Sequence, residues 1–245
     1  MRVGNLHKKI VDSLIGSSCT RVEVVASKVL NAGLGVFTKQ RILKDSLVTF
    51  YPGIYFPPPP LWVVASPDGE PALNLNSHMK NNYIIHCNSC GGFIDGFDEG
   101  RLGTNWRDSR AMGHLINHPP KGSLPSVFCL DFQWDHIISL VKQRIARSQN
   151  CEIKDFAAQL AERVGLINSL PKCGPWYYDP AKGVVDFTKN CNSVVGIAFF
   201  SLVDISIGDE IYFDYKFESG DRNIPDWYHP VACNRTVNNN QLVGA

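Results

Sequence analysis

The regular runs of this chain are short, and that is the feature that most limits how it can fold. Stretches of alternating or wholly apolar residues, which are typical of strands, are separated by glycine, proline and asparagine. They predict strands at residues 21–27, 36–38, 46–51, 83–87, 91–95, 184–188, 194–203 and 210–215. A chain with many short strands favours a mostly β domain.

Two helical patterns interrupt these strands. Residues 5–15 have the spacing of a short amphipathic helix, and residues 132–168 carry apolar side chains at helical intervals. Gly165 provides a stop signal near the end of the second pattern. We therefore predict a mostly β fold with inserted helices.

Composition narrows the possible partners. The 245 residues fit one domain with an insertion. The 24 basic and 23 acidic residues give a net charge of +1, which provides no electrostatic footprint for nucleic acid or an anionic membrane. The longest apolar run, residues 194–203, is about half of a membrane span and indicates a buried strand.

The cysteines and the first residues predict the compartment. The opening stretch lacks the apolar core of a secretory signal. Eight scattered cysteines are then expected as free thiols in a reducing environment. The expected location is intracellular, in the nucleus or the cytoplasm, and no sequence feature indicates an oligomer.

Several separated stretches stand out as candidate site segments. They are NAGLGVF at 31–37 with FYPG at 50–53, FIDG at 93–96, GHLINHP at 113–119 and GDEIYFDYKF at 208–217. Each is weak alone, because glycine turns and Asn-His pairs are more often structural than functional. In this order they resemble the SET domain of S-adenosylmethionine-dependent lysine methyltransferases.

The resemblance covers residues 20–217, with 132–168 as a helical insertion, and leaves a helical segment at 1–19 and a tail at 218–245. It implies a SET-domain (β-clip) fold in which the C-terminal segment threads beneath a loop in a knot-like arrangement. The tail lacks the Cys-x-Cys group of a zinc-held lid, so residues 224–230, with bulky Trp227 and Tyr228, are the candidate for closing the channel; the alternative is an ordered tail packed on the core.

The resemblance assigns roles to individual residues. Tyr215 is the expected catalytic residue, whose hydroxyl orients the amine and the transferring methyl. Tyr51 and Phe213 line the lysine channel, and phenylalanine at position 213 predicts room for more than one methyl group. The residues expected to bind S-adenosylmethionine are Gly33, Leu34, Gly35, Asn117, His118, Tyr215 and Phe217.

The implied substrate is a protein or peptide that presents a lysine, without direct binding to nucleic acid or membrane. The nucleophile must be neutral, and removing a proton from a lysine of pKa about 10.4 near neutral pH costs roughly 4 kcal/mol. A narrow apolar channel beside a cationic sulfonium lowers that pKa.

The chain also departs from the family pattern. Pro119 and Pro120 follow the Asn-His pair, and His114 stands before it where the family has arginine. Cys87 and Cys90 form half of a zinc motif without a matching pair, so free thiols are favoured and no metal is predicted. Two alternatives remain open: a SET-fold module that binds peptide or cofactor without turnover, and a scaffold that binds partners through residues 132–168.

Overall fold

The structure is a computed structural model that describes residues 3–15, 21–52, 54–56, 83–87, 92–96, 111–147, 177–179, 184–186, 195–217 and 228–231. Within these ranges the helices are α1 (Val3–Ile15) and α2 (Trp134–Ala146), with a 3-10 turn at Gly113–Leu115. The strands are β1 (Val22–Ala26), β2 (Leu34–Thr38), β3 (Leu47–Phe50), β4 (Ile54–Phe56), β5 (Ile84–His86), β6 (Phe93–Asp95), β7 (Val127–Gln133), β8 (Tyr177–Asp179), β9 (Val184–Asp186) and β10 (Val195–Ser201). The prediction of a mostly β protein with few helices is confirmed.

The strands form three sheets. β1 pairs with β2 in a two-stranded sheet, and a three-stranded sheet has the order β3-β10-β7. The third sheet has the order β5-β6-β4-β8-β9, and its β4-β8 pair is parallel while the other pairs are antiparallel. The predicted hairpin is confirmed, because β5 and β6 pair with His86 opposite Phe93.

The core lies on the three-stranded sheet. All seven residues of β10 are buried, as predicted for the long apolar run. α1 contacts α2 and β3, while α2 contacts β7. Leu6, Ile10 and Val11 of α1 belong to the same buried cluster as Ile137 and Val141 of α2, which confirms the first predicted helix. No helix of the described part is long and apolar enough to cross a bilayer.

Three strands were missed by the sequence patterns. β7 has half-buried residues along most of its length, so its apolar residues show no clear alternation. β4 and β8 have three residues each, which is too short for a period. The helix predicted from residue 132 begins at Trp134, since β7 continues to Gln133. Residues 148–176, including the rest of the predicted helical piece, lie outside the described residues.

The strand predicted at 210–215 is wrong. Residues 208–217, here called the crossing segment, form isolated bridges instead of a continuous ladder. These bridges join Phe37 to Glu210, Asn117 to Tyr212 and Val127 to Phe213. Because the three partners belong to separate parts of the chain, no single strand can pair along the whole segment.

Candidate functional site

The crossing segment brings the candidate site stretches together. The backbone N–H of Ile211 donates to the carbonyl of Val36 at 2.8 Å, and the N–H of Phe213 donates to the carbonyl of Asn117 at 2.9 Å. Stretches that are far apart in sequence therefore lie side by side. The predicted proximity of the Asn-His and Phe-Asp-Tyr residues is confirmed.

A buried carboxylate lies where these stretches meet. Oε1 of Glu210 accepts hydrogen bonds from the Ser27 hydroxyl at 2.6 Å and the Asn117 amide at 3.2 Å. Its Oε2 accepts from the Lys28 backbone N–H at 2.8 Å and the Tyr212 hydroxyl at 3.1 Å. These five residues are called the Glu210 network. Sequence reasoning missed its role, because Ser27 and Glu210 are 183 positions apart and leave no local signal.

Tyr212 is a hydrogen-bond donor in this network. Burial, followed by the charge and the hydrogen bond of Glu210, raises the pKa of Tyr212 to about 12. The phenol therefore keeps its hydrogen near neutral pH and can donate it to the carboxylate.

The two glycines of the glycine-rich turn, Gly33 and Gly35, have different surroundings. A side chain at Gly33 meets no atom within 4 Å, and Gly33 has a φ of +73°, which favours glycine. A Cβ at Gly35 would lie 2.3 Å from Oε1 of Glu210. Leu34, between them, is 52% exposed. Gly35 thus makes room for the carboxylate, while Gly33 and Leu34 face open space that a ligand can approach.

The amide of Asn117 is held by the protein. Its Nδ2 donates to the carbonyl of Leu34 at 2.9 Å and to Oγ of Ser27 at 3.0 Å, in addition to Glu210. The NH2 group thus connects the Asn-His stretch to β2. Binding of a cofactor by Asn117 stays a prediction.

His118 is buried and bonded at both ring nitrogens. The backbone N–H of Tyr215 donates to Nδ1 at 3.3 Å, and Nε2 lies 2.9 Å from the carbonyl of His229. Because Nδ1 accepts, Nε2 carries the hydrogen and donates to His229. The ring therefore positions Tyr215 and the tail, and binding of a cofactor by His118 stays a prediction.

Aromatic side chains surround His118. The ring of Tyr228 lies 4.4 Å from the His118 ring, and the ring of Phe217 lies 5.0 Å from Tyr228 at a right angle. Tyr228 is 8% exposed, so this part of the tail packs firmly on the site. Trp227 lies outside the described residues, and closure of the channel by the tail stays a prediction.

Two tyrosine hydroxyls mark the expected reaction centre. The hydroxyl of Tyr215 donates to the carbonyl of Ile116 at 2.9 Å, and that of Tyr51 donates to the carbonyl of Tyr83 at 2.5 Å. Burial, followed by repulsion from Tyr83, raises the pKa of Tyr215 to about 12. Burial, then nearby Tyr215 and Asp95, raises the pKa of Tyr51 well above its usual range. Both phenols are therefore neutral, and a neutral phenol can accept a hydrogen bond as well as donate one.

Phe213 lies between the core and Tyr215. Its ring packs edge-on against Phe199 at 5.1 Å and lies 6.2 Å from the Tyr215 ring. Phe199 in turn lies 6.3 Å from Tyr51. The two predicted channel residues and the predicted catalytic residue thus belong to one aromatic group, while the number of methyl groups that fit stays a prediction.

His114 was noted only as a departure from the family pattern, and the structure brings it to the same group. Its ring lies 6.5 Å from Tyr51 and 6.1 Å from Tyr83. Burial lowers the pKa of His114 to about 4, so the imidazole is neutral at physiological pH. A Cβ at Gly96 would meet His114 and Tyr51 at 3.0 Å, so this glycine allows the two rings to pack.

Comparison with known proteins gives structural likenesses alone. No family profile and no curated protein match this sequence. Solved structures that resemble it include autoinhibited ctPRC2 with bound S-adenosylmethionine, KRYPTONITE in complex with mCHG DNA and SAH, and a candidate histone methyltransferase from Plasmodium falciparum. A further KRYPTONITE structure also contains an H3(1–15) peptide.

These likenesses are distant. Identities are 13%, 12% and 13%, and TM-scores are 0.36, 0.38 and 0.38, over 81%, 81% and 82% of this chain. This chain spans 15% of the ctPRC2 chain, 24% of KRYPTONITE and 98% of the Plasmodium protein. TM-scores this low do not establish a common fold. The functional interpretation of the site therefore depends on the geometry of its own residues.

The described residues give no metal site. No group of three or more His, Cys, Asp or Glu side chains in this part of the chain is arranged to hold an ion. Neither Cys87 nor Cys129 forms a disulfide. Cys90, the other half of the predicted zinc motif, lies outside the described residues.

Proposed function

We propose that this protein is an S-adenosylmethionine-dependent protein-lysine N-methyltransferase of the SET type. One observation carries the proposal: the rings of Tyr51, Phe199, Phe213 and Tyr215 form a continuous aromatic group, with successive ring centroids 6.3, 5.1 and 6.2 Å apart. Each hydroxyl hydrogen is directed at a backbone carbonyl. The phenolic oxygens are then acceptors in an aromatic setting, which suits an alkyl amine.

The tyrosines orient the amine and do not remove its proton. A phenol with a pKa of about 12 is too weakly acidic to be present as a base near neutral pH. Its oxygen accepts an N–H bond, which fixes the direction of the nitrogen lone pair. Burial among Tyr51, Phe213 and Tyr215 disfavours the charged ammonium and so favours the nucleophilic form. Positioning of this kind accounts for most of what such a transfer requires.

The residues fit the cofactor in part. The open space over Gly33 and the exposed side chain of Leu34 leave room for a nucleoside beside the turn, and Phe217 offers an aromatic face. The ring of His118 does not fit as a ligand, because both of its nitrogens are bonded within the protein. Bound S-adenosylmethionine supplies a methyl group activated on a cationic sulfonium.

The finer features are also part of the proposal. The crossing segment passes beneath a loop in a knot-like arrangement, and the tail after residue 217 closes the channel. The substrate is a protein or peptide lysine, methylated in the nucleus or cytoplasm. Within the SET family, residues 36–53 and their spacing to 93–96 are most similar to SET domain-containing protein 9.

A second candidate is a module that binds peptide or cofactor without turnover. The hydrogen bonds of Asn117 and His118 favour it, because the amide NH2 and both ring nitrogens are already bonded within the protein. The two candidates differ in whether binding leads to methyl transfer.

Calorimetric titration of S-adenosylmethionine tests the proposal. Wild type should bind, Asn117→Ala should bind much less, and Tyr215→Phe should bind like wild type. Methyl transfer from labelled S-adenosylmethionine to a peptide array should be seen with wild type and lost with Tyr215→Phe. Binding without transfer to any peptide favours the module. No binding of S-adenosylmethionine by folded wild type, with or without peptides, rejects the methyltransferase and leaves the module only as a binder of peptide.

A further inference from the structure

Glu210 is the side chain at which three parts of the molecule are tied together. Ser27 and Lys28 follow β1, Asn117 follows the 3-10 turn, and Tyr212 lies in the crossing segment. All four donate hydrogen bonds to one carboxylate that is only 5% exposed.

The four donors match the four hydrogen bonds that a carboxylate can accept. Each oxygen of Glu210 accepts two hydrogen bonds, one pair from Ser27 and Asn117 and the other from Lys28 and Tyr212. Glutamine has one accepting oxygen and one NH2 group. The hydroxyl of Ser27 or Tyr212 can rotate to accept from that NH2, but the amide of Asn117 or the backbone N–H of Lys28 on the same side then faces a donor. A buried donor left without an acceptor costs more than the bond itself contributes.

The main chain around Glu210 has contacts of its own. The backbone of Glu210 is already bridged to Phe37, and the next residue, Ile211, bonds to Val36. The carboxylate instead lies directly over Gly35, where a Cβ would come within 2.3 Å of it. The carboxylate therefore serves to orient the side chains that donate hydrogen bonds to it.

Asn117 is the group whose orientation bears on the proposed cofactor. Its NH2 is held at once by Glu210, Ser27 and the carbonyl of Leu34. A fixed NH2 also fixes the amide oxygen on the opposite side of the group. An amide oxygen held in one direction is an acceptor suited to an ammonium, such as the one on the methionine end of S-adenosylmethionine.

We infer that Glu210 is a positioning residue that, through Asn117, selects the ammonium end of the cofactor. This role rests on the proposed function. Its consequence is specific: loss of the carboxylate weakens binding of ligands that carry the amino-acid portion and leaves binding of the nucleoside portion unchanged.

The test compares two ligands on two matched variants. Glu210→Gln removes the charge from the network, while Asp209→Asn removes the same charge from an exposed neighbour. Calorimetry measures binding of S-adenosylmethionine and of methylthioadenosine, which lacks the amino-acid portion. We expect Glu210→Gln to bind S-adenosylmethionine about tenfold more weakly, to bind methylthioadenosine like wild type, and Asp209→Asn to match wild type with both ligands.

Each other outcome has a distinct meaning. An equal loss for both ligands, or no loss for either, overturns the role of Glu210 and leaves the proposed function intact. Failure of folded wild type to bind S-adenosylmethionine overturns the proposed function and this inference with it. If Glu210→Gln does not fold, Ser27→Ala and Tyr212→Phe each remove one donor, and each should show a smaller loss confined to S-adenosylmethionine. Unchanged binding in both replacements then overturns the inference.

Discussion

β10 and the crossing segment lie close together in sequence, yet they are held in place in different ways. β10 pairs along its whole length with β7 and also pairs with β3, and every one of its residues is buried. The crossing segment makes single bridges to three partners, and its side chains are mostly half-buried or exposed. β10 therefore depends on buried apolar area, whereas the crossing segment depends on individual polar contacts such as those of Glu210. Changes in β10 should cost stability, and changes around the crossing segment should mainly cost site geometry.

Phe200→Ala should have the largest effect on stability. Phe200 of β10 is fully buried and stacks on Phe128 at 5.8 Å. Removing a buried phenylalanine ring costs about 3–5 kcal/mol. The free energy of unfolding in denaturant measures the loss, with Leu124→Ala as control because Leu124 is 69% exposed. Equal losses in the two variants would contradict the assignment of β10 as the centre of the core.

Acid should destabilise the region around the two tyrosines through His114. The unfolded chain binds the His114 proton near pH 6.5, whereas burial lowers the folded-state pKa to about 4. The unfolded state holds more protons between these values, so stability present above pH 6.5 is lost as the pH falls through 4. The contribution is on the order of 3 kcal/mol.

Denaturation curves between pH 7 and pH 4, compared for wild type and His114→Phe, measure this contribution. The variant should lose less stability on acidification than wild type. His86→Phe, at an exposed position, is the matched control. Identical acid slopes for wild type and His114→Phe would show that His114 is not the group responsible.

Gly35→Ala should disturb the Glu210 network directly. The new methyl would lie 2.3 Å from Oε1 of Glu210, so the carboxylate must move from its donors. Overpacking of this kind costs about 1–3 kcal/mol. Gly4→Ala is the same change in α1 at a position with no atom within 4 Å, and it should not lower stability. The melting temperatures of the two variants measure the effect. A Gly35→Ala protein as stable as wild type would show that the Glu210 carboxylate can move without a cost in stability.

Arg41→Ala should have the smallest effect of the four. Arg41 donates to Asp204 at 2.8 Å just before the crossing segment, but both side chains are largely exposed. Exposed pairs are weakened by water and salt. The melting temperature should barely change, and any change should vanish at high salt. A large, salt-resistant loss would indicate that the entry to the crossing segment is as firmly held as β10.

The sequence predicted the parts of the fold that carry local patterns. β10 follows from its apolar run, and the β5-β6 hairpin follows from two short alternating stretches around a turn. β7 was not predicted, because Cys129 and Asp131 obscure the alternation of apolar and polar residues that is typical of a strand. The crossing segment was predicted as a strand because its residues suit one, although its pairing partners, which the sequence does not reveal, allow only single bridges.

The sequence predicted which aromatic residues belong to the candidate site, but it did not predict the hydrogen bonds and packing contacts among the residues of the site. The family resemblance pointed to Tyr51, Phe213 and Tyr215, and these residues lie in one aromatic group. The contacts of Glu210 and His114 depend on residues distant in the chain, so no motif revealed them. Side-chain bonding of this kind arises only from the completed fold.

The crossing segment also has a consequence for how the protein folds. Its bridges reach back to β2, to Asn117 and to the start of β7, so each closes a large loop of chain. Such distant contacts form slowly and only after their partners are ordered. The segment is therefore expected to dock late, after the sheet centred on β10. During synthesis, the strands of that sheet are complete before residue 208 has been added. Glu210, Phe213 and Tyr215 are then still missing, so the candidate site is completed only in the last step of folding.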